Sequence, residues 1–224
     1  MVRFRGSNTA YATNKSAYSG FEGGTATYDI EGNIMSLLYG DGFASNSALA
    51  NVSWTFCSLF KKAPVVSARN LILPATTLKT YCYRAMFSWC TTLVAPPVLP
   101  ATTLVNGCYW YMFEQCAITK APVLNAATLV QECYGHMFEG CAALNTIECY
   151  ATAGFGSSKC LEDWTKNVAA SGMFVKSSNA TNWTASSTSG IPSGWTTSDD
   201  ILLYAPVIAC DGETIELACD TQDA

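Results

Sequence analysis

Leu99-Pro100-Ala101-Thr102-Thr103-Leu104, followed by Cys108-Tyr109, Met112-Phe113 and Cys116, decides how this chain is read. The same signature stands one unit earlier as Leu73-Pro74-Ala75-Thr76-Thr77-Leu78, Cys82-Tyr83, Met86-Phe87 and Cys90. It returns one unit later as Leu124-Asn125-Ala126-Ala127-Thr128-Leu129, Cys133-Tyr134, Met137-Phe138 and Cys141. Cys82, Cys108 and Cys133 fall 26 and then 25 residues apart. A degenerate earlier copy is visible in Leu59-Phe60, at the place of Met86-Phe87. Units this short cannot each bury an apolar face, so they must stack on one another.

Stacking turns equivalent positions into ladders. Six of the 11 cysteines fall into two columns, Cys82/Cys108/Cys133 and Cys90/Cys116/Cys141, beside Phe87, Phe113 and Phe138. Cysteine fits such a column as a small buried hydrophobe, so these thiols are expected reduced and buried. A spacing of eight between the two cysteines of each unit is no Cys-x-x-Cys knuckle. The odd total leaves at least one thiol unpaired within the chain. The pairings Cys149–Cys160 and Cys210–Cys219 stay open.

Composition narrows the function. Half of the 224 residues are apolar and 13% are charged, the opposite of a disordered chain. Twelve basic against 17 acidic residues give a net charge of −5, which argues against a nucleic-acid partner. No apolar run reaches the roughly 20 residues of a membrane span. The single histidine rules out multi-His metal sites, and the sequence offers it no arrangement of a partner Ser or Cys with an orienting carboxylate for general-base work. No cofactor, metal site or catalytic residue is expected, and the protein is expected not to be an enzyme. Glu114, Glu132 and Glu139 lie at outward or turn positions, a poor basis for a glycosidase pair. The start, Met-Val-Arg-Phe-Arg-Gly-Ser-Asn, is not a signal peptide, so either a leader has been removed or the chain travels another way.

The Leu-Pro-Ala-Thr-Thr-Leu, Cys-Tyr, Met-Phe, Cys signature resembles the BspA-like leucine-rich repeats of bacterial surface proteins, in a gut-bacterial short-repeat form. Residues 31–41, Glu-Gly-Asn-Ile-Met-Ser-Leu-Leu-Tyr-Gly-Asp, are similar to the N-terminal cap of such proteins. Residues 190–196, Gly-Ile-Pro-Ser-Gly-Trp-Thr, are similar to their C-terminal cap. The resemblance implies a β-rich or α+β solenoid of short leucine-rich repeats, wound as a right-handed coil between two caps. It implies a non-enzymatic adhesion module, extracellular or at the cell surface, that presents its repeat face to a protein or glycan on a cell surface. A phage tail or virion component carrying the same module for host attachment is the alternative.

On that reading the chain divides into a β-rich cap (1–50), repeats (51–148), a C-terminal cap with a short helix and a strand (149–197), and an acidic tail or hairpin (198–224). Within the repeats the segment ending in Leu-Pro is expected as a strand, and Cys-Tyr-x-x-Met-Phe as a helical turn or second short strand. Residues 158–168 are expected as an amphipathic helix and 172–176 as a strand. Asp211-Gly212 between apolar runs signals a hairpin, and the tail could make an oligomer or assembly contact. Positions outside the ladder carry the candidate ligand contacts: Trp89, Trp110, Tyr111 and His136. Exposed aromatics of this kind often mark binding patches.

Overall fold

The computed structural model describes residues 2–21 and 24–199. The expectations for the Asp211-Gly212 hairpin, the Cys210–Cys219 pair and all but the first residues of the tail lie outside the described residues. Strand β1 (Tyr28–Asn33) pairs in parallel with β2 (Val65–Ile72). Strands β3 (Thr146–Cys149), β4 (Met173–Lys176) and β5 (Thr196–Asp199) form a second parallel sheet in that order. The only α-helix among the described residues is α1 (Ser36–Tyr39), followed by a 3-10 segment at Gly40–Ser45.

This overturns the expected architecture. A solenoid of leucine-rich repeats would carry a strand in every unit, yet the described residues form only a two-stranded and a three-stranded sheet. The central repeats contribute isolated bridges alone, such as Thr77 to Thr103 and Leu124 to Cys149. The segment around Thr92–Leu99 reaches pairing only at Ala95, opposite Ser67. Pro96, Pro97 and Pro100 explain this, because each removes a backbone donor.

The repeats are held by tight turns instead. Between Trp54 and Ala63, residues Cys57, Leu59, Lys61 and Ala63 each donate an N–H to the carbonyl three residues back. The alternate residues donate to the next unit: Trp54 to Thr80 (3.0 Å), Phe56 to Cys82 (2.8 Å), Ser58 to Arg84 (2.9 Å), Phe60 to Met86 (2.9 Å) and Lys62 to Ser88 (2.9 Å). The pattern recurs at every later junction, for example Tyr83 to Cys108, Tyr109 to Cys133 and Tyr134 to Cys160. Every fourth residue takes a left-handed backbone: Trp54, Ser58 and Lys62; Tyr81, Ala85 and Trp89; Gly107, Tyr111 and Gln115; Glu132, His136 and Gly140; Lys159, Asp163 and Asn167. A type II turn needs that conformation at its third residue. Most of these positions are not glycine, at about 1–2 kcal/mol each, and the hydrogen bonds between units offset the cost.

The series therefore has five members. The fifth, 159–167, falls where a helix was expected, and it too is a run of turns. Its Cys160 and Trp164 continue the columns of Cys133 and Met137. A helix was the wrong period to infer: apolar residues three and four apart arise equally from consecutive turns.

The core lies along one side of this turn ladder. Rings of Phe60, Phe87, Phe113 and Phe138 stack at 5.5, 5.6 and 6.0 Å, nearly parallel. Phe56, Tyr83, Tyr109 and Tyr134 form a second column at 5.9–6.2 Å. All nine described cysteines are free and buried, Cys149 and Cys160 included. Three of them also make the shortest thiol bonds among the described residues, each reaching back one unit. The thiols of Cys90, Cys116 and Cys141 donate to the carbonyls of Phe60 (2.9 Å), Phe87 (3.1 Å) and Phe113 (2.9 Å) in the unit before.

At one end Phe21 stacks on Phe60 and Tyr11 on Phe56, with Phe21 N–H on the Leu59 carbonyl. Within the expected β-rich cap of 1–50, the one strand among the described residues is β1. At the other end Trp183 packs on Trp164, whose indole N–H donates to the Gly190 carbonyl.

Candidate functional site

The outward side of the turn ladder carries a strip of rings. Trp54 stacks on Tyr81 at 4.2 Å, and Tyr81 lies 6.0 Å from Trp110. Trp110 meets Tyr111 at 5.4 Å, and Tyr111 lies flat on the His136 imidazole at 4.3 Å and 6°. The Arg84 guanidinium sits over both Trp110 (5.4 Å) and Tyr111 (5.3 Å). All six side chains are half-buried. Four of them, Trp54, Tyr81, Tyr111 and His136, take left-handed backbones, and Arg84 and Trp110 each stand next to one that does.

One glycine makes the strip continuous. A Cβ on Gly107 would lie 2.1 Å from the Tyr81 ring, and its φ is +61°. Without a side chain there, Tyr81 crosses the unit and donates its hydroxyl to Glu132 Oε2 at 2.7 Å. Burial pushes the Tyr81 hydroxyl up to about 12, and the bond to the Glu132 carboxylate adds to the rise. Burial also raises Tyr111, with the Glu114 charge second and Arg84 opposing.

Beyond His136 the strip ends in a charged cluster. His136 Nδ1 lies 2.7 Å from Glu139 Oε2, and Nε2 lies 3.4 Å from Glu162 Oε2. Lys166 Nζ bridges Glu139 Oε1 (3.1 Å) and Asp163 Oδ2 (2.9 Å), and Lys159 pairs with Glu162 (3.2 Å). Hydrogen bonds to Asp163 and Glu139 hold the Lys166 ammonium above its usual range. His136, Glu139 and Asp163 each offer a ligand atom, all within 4.8 Å of one another. Beside the cluster an open groove of about 380 Å³ is lined in part by Phe155, Lys159, Glu162 and Trp183.

The structure brings three of the four expected contact residues together: Trp110, Tyr111 and His136. Trp89 stands apart, 46% exposed, with no ring contact among the described residues. Trp54, Tyr81, Arg84, Glu139, Glu162 and Asp163 were not anticipated. Two signals were available in the sequence. Tyr81 directly precedes the Cys82-Tyr83 pair, and Asp163 follows His136 by 27 residues, one unit of the series. His136 contacts carboxylates and rings, and no hydroxyl or thiol nucleophile is bonded to it among the described residues.

Among the described residues no helix is long and apolar enough to cross a membrane. Comparison with known proteins finds no matching family model, no similar curated protein and no similar solved structure.

Proposed function

We propose that this protein is a non-enzymatic binding module that presents the strip from Trp54 to His136 to a protein at a cell surface, in an extracellular setting. The continuity of the strip carries this reading. Tryptophan, tyrosine and arginine dominate interface energy, and here they are clustered, half-buried and prearranged by the turns beneath them. Prearrangement lowers the entropy lost on binding.

The stacking also favours a protein over a glycan. A sugar ring docks on the flat face of an aromatic side chain. In this strip the faces cover one another at 4.2–6.0 Å, which leaves ring edges and the guanidinium for a partner. Edges and an arginine suit peptide carbonyls, carboxylates and apolar side chains.

The test is an array of extracellular-matrix and cell-surface proteins printed beside glycans. Binding to a protein element, competed by the same protein in solution, is expected. Binding to glycans alone would overturn the choice of partner.

A further inference from the structure

The cluster at the end of the strip combines an imidazole with carboxylates from two successive units. We propose that His136, Glu139 and Asp163 bind a divalent transition metal of the zinc class, with His136 ligating through Nδ1 and oriented through Nε2 by Glu162. This goes beyond the partner-binding reading and does not depend on it.

Four observations carry it. The ligand atoms lie within 4.8 Å of one another, and the closest pair, His136 Nδ1 and Glu139 Oε2, is 2.7 Å apart. Ligands about 2.0–2.2 Å from a tetrahedral zinc ion fall between those separations, so small side-chain rotations complete the site. Second, the far nitrogen faces a carboxylate, Glu162 Oε2 at 3.4 Å. Metal-bound histidines commonly donate their other N–H to such a group, which fixes the tautomer. Third, the imidazole plane is set from outside the cluster by the Tyr111 ring stacked on it at 4.3 Å. Fourth, the place is already a cation site: the Lys166 ammonium sits between Glu139 and Asp163. Lys166 is partly exposed and can swing out to solvent when a dication replaces it.

The donor set selects the ion. Calcium takes six to eight oxygen ligands, and magnesium keeps most of its water, so neither suits three ligands that include an imidazole. One imidazole and two carboxylates suit zinc or cobalt, with a position left for water.

The test is calorimetric titration of the full chain with ZnCl2 at pH 7, with Cys210→Ser and Cys219→Ser present so that these thiols cannot bind the ion. Co2+ absorption reports the ligand geometry. One equivalent is expected, with no displacement by equimolar Ca2+ or Mg2+. His136→Ala should weaken binding at least 10-fold, and so should Asp163→Asn, which keeps the side-chain shape. Lys166→Met should tighten binding several-fold by removing the competing ammonium. Zinc binding unchanged in both His136→Ala and Asp163→Asn, or no binding in Lys166→Met, would overturn the proposal.

Discussion

Cys108 and Cys116, one from each column, respond differently to the same change. Cys116 is buried, and its thiol already donates to the Phe87 carbonyl at 3.1 Å. A serine hydroxyl there inherits an acceptor, and a bond worth about 1 kcal/mol offsets most of its burial. Cys108 is fully buried between Cys82 and Cys133 and has no comparable carbonyl acceptor. Cys108→Ser places a hydroxyl in an apolar column without that compensation, at about 1–3 kcal/mol. The expected gap between Cys108→Ser and Cys116→Ser is therefore about 1–2 kcal/mol, a 5- to 30-fold difference in the unfolding constant. Urea unfolding followed by tryptophan fluorescence measures it, provided the m-values of the two variants agree. Equal losses, or a larger loss at Cys116, would refute the distinction between the Cys108 thiol, which only fills space, and the Cys116 thiol, which also hydrogen-bonds.

Alkaline pH should unfold the protein by the same burial. Burial raises the thiols of Cys82, Cys90, Cys141 and Cys149 from 9.0 to about 12. A raised folded-state pKa gives stability that is complete below pH 9 and lost as the pH climbs towards 12, at up to about 1.4 kcal/mol per pH unit for each thiol. Circular dichroism should show a cooperative transition beginning above pH 9, and a signal still flat at pH 11 would contradict it. Gly154→Ala should cost about 2–5 kcal/mol, because φ is +83° and the new Cβ would lie 2.0 Å from the Leu129 carbonyl oxygen; a melting temperature within 2 °C of wild type, by an order-of-magnitude conversion, would argue against this packing. At exposed Lys62, with φ 60°, Lys62→Gly should be at least as stable as wild type and Lys62→Val about 1–2 kcal/mol less so. Thermal melts that rank valine above glycine would dismiss the left-handed turn.

The repeat was legible because Cys, Tyr, Met and Phe recur at fixed spacing, and those residues line the stacked columns. The architecture was not, for a reason visible at Ala85, Tyr111, His136 and Asp163. These four occupy equivalent left-handed positions, yet share no residue type. Left-handed turns usually declare themselves through Gly or Asn. Here the backbone is held by hydrogen bonds to the next unit, so the local sequence carries little trace of it. The same independence hid the fifth unit. Its Leu161 and Trp164 replace the tyrosine and methionine of earlier units, and its apolar spacing mimics a helix. The candidate site was half legible for a related reason. Aromatic residues at variable positions pointed to Trp110, Tyr111 and His136, all of which meet. Trp54 and Arg84 join them only through the register between units, and Trp89, chosen on the same grounds, touches no ring of the strip.

The claim that the ring strip is the binding surface is tested most directly by one measurement: the affinity of Trp110→Ala/Tyr111→Ala for the protein recovered from the array, beside its melting temperature. Both side chains lie outside the buried columns, and Tyr111 keeps its left-handed backbone as alanine. The account predicts a cooperative melt and a loss of more than about 2 kcal/mol in binding, roughly 30-fold in Kd. A folded variant that binds with unchanged affinity would contradict it.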